Sequence, residues 1–383
     1  MKAPSATLGR LVEWRAKRIS DPVQRLRYLR RSAASRAVSP WNRIYTSKSL
    51  FRLGLLATVI FLIPFSTISD FRPLSARTIP KLLPVNASDV HSSEKIWLVE
   101  TRDGQEIYSN SLRVETRFQV PSGQEPTETW YRLVKGSKES VEMEKPVGIV
   151  FHTTESHMAS FEEGNNRRLK FLGESLLRHI REKRAYHYVI DRFGRVWRIT
   201  PEDEPAFHAG SSIWQEPQWD YINLNHSFLG VAFEAQTRVE DEPIVTDAQK
   251  LSAKLLTAML RTKYHIPAYN CVTHAQVSVS NENYGIGYHT DWAGDFPFSE
   301  VGLPDNYQLP LPSVYEFGFL YDSSFVNATG ERLWKGLSKA EELLRQQATA
   351  QGVPVAQLSK RLRENYRQII ENLKKEKNSE VKN

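Results

Sequence analysis

Residues 146–305 of this 383-residue chain predict an α/β fold: a mixed central β-sheet flanked by helices, preceded by a transmembrane helix and a small β module and followed by a C-terminal helical tail. Three observations predict it. Short apolar runs alternate with amphipathic stretches of helical period from residue 146 onward, the order expected when helices cover a sheet. Before them, apolar runs are separated by an Asp-Gly turn. Earlier still stands an uncharged run long enough to cross a bilayer.

The chain is long enough for two or three folded units. Its formal charge of +7 is concentrated at one end. Residues 1–52 hold thirteen Lys/Arg against Glu13 and Asp21, a net of +11, so the other 331 residues together carry −4. That balance argues against a nucleic-acid-binding body, and no nucleic-acid partner is expected. Leu53–Ser69 has no charged residue and reads as a transmembrane anchor. The basic residues before it and Asp70 after it place the N-terminus in the cytoplasm by the positive-inside bias, with the remainder across the inner membrane, in the periplasm. A cleaved signal is the competing reading, but its charged region is normally a few residues rather than fifty. Residues 70–93, with Pro73, Pro80 and Pro84 among Ser, Arg and Asn, form a linker.

Residues 94–145 read as the small β module. Lys95-Ile-Trp-Leu-Val-Glu-Thr101, Glu106-Ile-Tyr108, Leu112–Phe118 and Trp130-Tyr-Arg-Leu-Val134 are its strands, and Asp103-Gly104 is a hairpin turn. In 146–305, Val147-Gly-Ile-Val-Phe-His152 is a buried-strand run ending on a histidine, followed by Thr153, Thr154, Glu155 and Ser156. A helix is predicted from about Phe161 to Arg184, with Leu169, Leu176, Leu177 and Ile180 on one face. Tyr186–Asp191 and Arg195–Ile199 make a strand pair around Arg192-Phe-Gly194, and Phe228–Glu234 is a further strand. Thr246 caps a helix from Asp247 to about Tyr264, its apolar face drawn through Leu251, Leu255 and Met259. Asn270-Cys-Val-Thr-His274 is a short strand that again ends on a histidine.

The single Cys271 cannot form an internal disulfide. In a strand it faces away from His274, so core packing is the better reading than metal ligation. Residues 306–383 form the helical extension, whose charged helix carries a stripe of Leu362, Tyr366, Ile369, Ile370 and Leu373. That stripe serves packing or a protein partner.

In order, Ile149-Val-Phe-His-Thr-Thr154, Tyr186-His-Tyr-Val-Ile-Asp191, Phe207-His-Ala-Gly210, Leu229-Gly-Val231, Thr273-His274 and His289-Thr-Asp291 resemble the zinc-dependent N-acetylmuramoyl-L-alanine amidases. This is the type-2 amidase fold shared with phage amidase lysozymes and peptidoglycan recognition proteins. The resemblance covers about residues 146–300. It implies a hydrolase of the amide between N-acetylmuramic acid and L-alanine, acting on peptidoglycan or muropeptides with Zn2+ as cofactor.

The resemblance implies that His152, His274 and Asp291 are the zinc ligands, with Gly294, Phe296 and Pro297 following the third. Three protein ligands and an open fourth position characterise a catalytic rather than a structural zinc site. Tyr186 is implied in orienting water or in proton transfer. Two departures stand out. Many members carry a Lys where this chain has His289, which can still donate a hydrogen bond to an oxyanion. Some members place a general-base Glu at the position of Ala232; Glu234, on the same strand face, is the candidate substitute. Trp197, His208 and Trp214 are candidates to line the glycan and stem-peptide groove. The alternative is a peptidoglycan-binding or regulatory protein without catalysis, as occurs among recognition-protein relatives.

Overall fold

The computed structural model describes residues 95–121, 130–137, 139–237 and 245–380, with side chains as far as residue 375. The basic segment 1–52, the anchor 53–69 and the linker 70–93 lie outside the described residues. Among those described, no helix is long and apolar enough to cross a membrane.

An eight-stranded mixed sheet forms the centre. Its strands are β1 (Leu98–Arg102), β2 (Gln105–Tyr108), β3 (Arg113–Glu115), β6 (Gly148–Thr153), β7 (Tyr188–Ile190), β8 (Val196–Arg198), β11 (Phe228–Phe233) and β12 (Cys271–Thr273), in the order β1-β2-β3-β8-β7-β11-β6-β12. The inner strands β7, β11, β6 and β12 run parallel. They read as unbroken apolar runs because both faces of the sheet are covered. Alternation along β6 feeds two cores: Ile149 and Phe151 join one cluster and Val150 another.

Helix α1 (Asn166–Lys183) buries Leu169, Leu177 and Ile180; the last two pack with Val189, Trp197 and Ile199. Helix α2 (Asp247–Tyr264) puts Ala253, Leu256, Met259 and Leu260 against Ile149, Phe151, Tyr188 and Ile190. Since Tyr188 and Val189 point to opposite faces of β7, the two helices cover opposite sides. Thr246 caps α2 as expected: its hydroxyl accepts the Gln249 N–H at 3.2 Å, and Gln249 Oε1 accepts the Thr246 N–H at 3.0 Å. The face drawn through Leu251 is shifted, however, for Leu251 is 60% exposed and the buried stripe begins at Ala253.

The strands expected over 94–145 are present but do not form a sheet of their own. The β1–β2 hairpin turns through Asp103 and Gly104, both at positive φ, which suits a two-residue hairpin turn. Then β3 pairs with β8, extending the central sheet. Strands β4 (Trp130–Val134) and β5 (Ser140–Met143) join β9 (Ile213–Gln215) and β10 (Trp219–Ile222) in a second sheet of order β5-β4-β10-β9. Sequence-local hairpin signals carry no information about such distant pairing.

The C-terminal extension folds as helices, chiefly α6 (Lys335–Ala350) and α7 (Val355–Glu380), here numbered after the short α3 (His274–Val277), α4 (Pro312–Tyr315) and α5 (Ser323–Ala328). The α7 stripe read as a candidate partner surface is used within the chain. Tyr366 is buried, Ile369, Ile370 and Leu373 pack beside it, and Leu362 packs in a neighbouring cluster.

Candidate active site

Two neighbouring parallel strands, β6 and β12, deliver histidines at their C-terminal ends, where open α/β sheets place ligands. His152 is near the end of β6, opposite Ala232 of β11. His274 follows β12 and opens α3, whose first turn is held by a reciprocal cap between Thr273 and Gln276. Asp291 arrives from the loop beyond, and its backbone carbonyl accepts the Ala275 N–H at 3.2 Å. The ligating atoms of His152, His274 and Asp291 lie within 4.8 Å of one another, all in buried side chains.

The hydrogen-bond partners behind these imidazoles fix their tautomers. His208 Nε2 lies 2.9 Å from the Phe228 carbonyl, which can only accept, so that nitrogen carries the proton. Burial, reinforced by the neighbouring His152 and His187, holds His208 well below the usual histidine range, and it is therefore neutral. Its Nδ1 is then an acceptor, and His152 Nε2, 3.1 Å away, must donate to it. On the other ligand, His274 Nε2 faces the Ala209 carbonyl at 3.4 Å and is likewise the protonated nitrogen. In the neutral form of each ring, Nδ1 is then the nitrogen with the lone pair. His152 Nδ1 faces Asp291 Oδ2 at 3.2 Å and His274 Nδ1 faces Asp291 Oδ1 at 2.9 Å. Acceptors facing acceptors is an arrangement that a shared cation satisfies, and two neutral imidazoles with one carboxylate are a donor set suited to zinc.

The charges agree with that reading. Burial, then the nearby His274, lowers His152 to about 4, so its lone pair is free at neutral pH. For Asp291, burial works to raise the carboxyl, but His274 and His152 outweigh it and hold it well below the carboxylate range when their Nδ1 atoms carry protons, the positions a shared cation would take over. The group opens onto a cavity of about 410 Å³ lined also by Thr154, Glu155, Tyr186, Phe207 and His289.

Residues 142–291 match the family model described as N-acetylmuramoyl-L-alanine amidase, and the match ends on Asp291 itself. Over this segment the chain is similar to the N-acetylmuramoyl-L-alanine amidase family. No curated protein matches the chain. Solved structures with some likeness include an endolysin amidase, LysCS, from Clostridium intestinale, at 22% identity over 41% of this chain and 81% of that one, TM-score 0.25. AmpDh3 from Pseudomonas aeruginosa, in complex with anhydromuramic pentapeptide, is 18% identical over 55% and 78%, TM-score 0.32. AmiD from E. coli, in complex with anhydro-N-acetylmuramic acid-L-Ala-D-gamma-Glu-L-Lys, is 20% identical over 46% and 58%, TM-score 0.28. Likenesses this slight transfer no residue roles.

The other residues singled out in the matched segment divide sharply. Tyr186 lines the cavity with its ring 5.1 Å from that of His152, and burial, then Asp291 and Glu155, raise its hydroxyl far above the ordinary tyrosine value. His289 also lines it, stacked on His274 at 4.7 Å. His208 is brought to the site as expected, lining the cavity while its Nδ1 accepts from His152. Gly230 makes room for it: a Cβ there would stand 2.6 Å from the His208 ring, which explains the Leu229-Gly-Val231 motif.

Glu234, Trp197 and Trp214 are not brought to the cavity. Glu234 accepts the Arg192 N–H at 3.2 Å and lies beside Gly173 of α1, so this carboxylate does not serve the metal group. Trp197 is core, its indole donating to Asp191 at 2.9 Å, and Trp214 is core, donating to Asn270 at 3.0 Å. Internal carboxylate and amide partners satisfy both N–H groups, so burial costs them little. Cys271 is buried in the apolar core, as expected.

Two contributors were not assigned a role from sequence. Asn225 Oδ1 accepts the backbone N–H groups of His208 and Ala209 at 2.9 and 2.7 Å, which sets the His-Ala-Gly turn. Glu155 stands in the cavity wall, and its only sequence signal was its place just after the His152 strand.

Proposed function

We propose that the chain is a zinc-dependent N-acetylmuramoyl-L-alanine amidase, hydrolysing the amide between N-acetylmuramic acid and the L-alanine of the stem peptide in peptidoglycan or muropeptides. The observation that carries this reading is the pair of imidazole lone pairs facing the two oxygens of one carboxylate beside a cavity, within a segment of the amidase family. A zinc ion held by His152, His274 and Asp291 would supply Lewis acidity toward the scissile carbonyl and lower the pKa of a water.

The chain's own side chains supply the rest. His208 holds His152 in the tautomer that keeps Nδ1 unprotonated. Tyr186, kept protonated by its buried and negatively charged surroundings, is a hydrogen-bond donor toward the substrate carbonyl as negative charge develops there. His289, partly open to solvent on the face of His274, is a second donor at the position where many family members carry Lys. Phe207, 53% exposed at the cavity, offers an apolar face to a sugar ring. The uncharged run at 53–69 and its basic leader support a single-pass anchor in the inner membrane with the amidase segment in the periplasm.

The test is His152→Ala with zinc content and stem-peptide release from purified sacculi measured together. Loss of both is expected; peptide release persisting without metal contradicts the reading. A zinc-loaded wild-type protein that releases no peptide from sacculi or soluble muropeptides would instead be a binding protein. His289→Lys is expected to retain activity, and a zinc-loaded but inactive variant would show that the imidazole is needed as such.

A further inference from the structure

The cavity wall contains two carboxylates, Asp291 and Glu155. Asp291 has both oxygens turned to the imidazoles of His152 and His274, so it cannot also exchange a proton with a reactant. On the strand beside His152 the facing residue is Ala232, a buried methyl group, and Glu234 is turned away to the Arg192 N–H. Among the described residues, Glu155 therefore remains as the carboxylate able to reach a substrate in this cavity.

Its setting is that of an aimed group rather than a loose surface acid. Beyond β6 the chain continues beside β11, with the Thr154 N–H on the Phe233 carbonyl and the Glu155 N–H on the Ala235 carbonyl, at 2.9 and 3.0 Å. At Glu155 the backbone turns to φ 49, a left-handed conformation that costs a residue with a side chain and that concentrates at functional sites. Three donors then grip one carboxylate oxygen. Glu155 Oε1 accepts the Thr153 hydroxyl at 2.6 Å, the Thr237 N–H at 2.8 Å and the Thr237 hydroxyl. None of these bonds uses Oε2. The side chain is exposed and its orientation is set by partners from two different segments, which leaves one oriented oxygen for chemistry.

We propose that Glu155 is the general base of this amidase. This rests on the amidase reading above and names the proton carrier that it lacks. As the water oxygen bonds to the lactyl carbonyl carbon, Oε2 takes one of its protons. As the carbon–nitrogen bond breaks, the same proton passes to the L-alanine nitrogen. The products are the carboxylic acid and the free amine, with Glu155 ionised again. The other ionisable groups lining the cavity, Tyr186, His208, His274, His289 and Asp291, are held as hydrogen-bond donors, tautomer partners or ligands.

The experiment uses the zinc-loaded full-length protein with a soluble muropeptide. Glu155→Gln is expected to keep zinc content and KM within about threefold of wild type while kcat falls by roughly 10²–10⁴-fold. Glu155→Ala is expected to regain part of the lost rate when sodium formate is added, a rescue that a merely structural carboxylate would not give. A Glu155→Gln variant with kcat within threefold of wild type, or an Ala variant that formate leaves unimproved, overturns the assignment while the amidase reading stands. Loss of zinc from both variants overturns it too, by making Glu155 a support of the ligand group. A zinc-loaded wild-type protein without activity sinks the amidase reading first and this base with it.

Discussion

The two histidines and the aspartate of the site are held in different ways. His152 and His274 leave neighbouring parallel strands, and their positions follow from the register that sets Thr273 against Phe151 and Ala232 against His152. Asp291 sits in a loop with strained backbone, Trp292 at φ 58 and Asp295 at φ 56. That loop is tied down from outside the matched segment. The Tyr307 hydroxyl donates to the Trp292 carbonyl at 2.7 Å, and the Trp334 indole donates to the Ala293 carbonyl at 2.9 Å. Farther back, Phe325 fills the space over Gly287, and the Tyr366 hydroxyl donates to Asn281 at 2.8 Å. The sheet holds the two histidines by itself, whereas the aspartate depends on residues 306–383. The extension is thus part of the site's support rather than a separate attachment.

The sharpest way to break this contrast is Trp334→Ala. Removing a buried tryptophan should destabilise the protein by about 3–5 kcal/mol, and here it should also weaken zinc binding by freeing the Asp291 loop. Denaturant unfolding alongside a competitive zinc titration reads both. Zinc affinity unchanged in a destabilised variant would show that the loop keeps its shape without the clamp.

On the strand side the matching probe is pH. His187, beside Tyr186, is buried between the Gly230 N–H on Nδ1 and the Glu204 carbonyl on Nε2, and burial lowers it to about 4. The unfolded chain, with histidine near 6.5, binds more protons than the folded one between those values. The stability of the zinc-free protein should therefore fall as pH drops from 6.5 toward 4, and His187 alone accounts for up to about 3 kcal/mol. Urea midpoints across that range should flatten in His187→Gln. An unchanged slope would assign the effect to His152 and His208 instead.

Between these in kind, and smaller, is the support of a ligand by a neighbouring side chain. His208→Phe removes the acceptor that fixes the His152 tautomer and should cost about 10–100-fold in zinc affinity. The stability change need not match, because Gly230 leaves space for a ring there. Equal zinc affinity would mean that His152 selects its tautomer without help.

The same contrast explains what could be read from the sequence. The strand half was legible because each ligand or its motif lies within a few residues of an apolar run, as at Phe151-His152 and Thr273-His274. The helices were legible too, although Leu251 matched the helical period and still faces water. What escaped depends on remote contacts. Trp197 and Trp214 looked like groove aromatics, since nothing near them in sequence reveals the indole partners Asp191 and Asn270. The strands of 94–145 carried hairpin signals, but their pairing with β8 and β10 is set by the fold. Glu155 was visible as a residue but not as a site, because Thr237, which orients it, is 82 positions away.

The finest test of the loop half is Tyr307→Phe. The ring keeps its stack on Trp334, with centroids 5.0 Å apart, and its edge contact with Phe298. The bond to the Trp292 carbonyl is lost together with the hydroxyl's interactions with the Phe296 backbone and the Thr273 side chain, and the stability cost should be about 1 kcal/mol. If that bond restrains the turn carrying Asp291, zinc should dissociate faster while the unfolding midpoint scarcely moves. A variant with wild-type zinc release would locate the restraint in the Trp334 bond to Ala293, the one clamp contact on that turn that the substitution leaves intact.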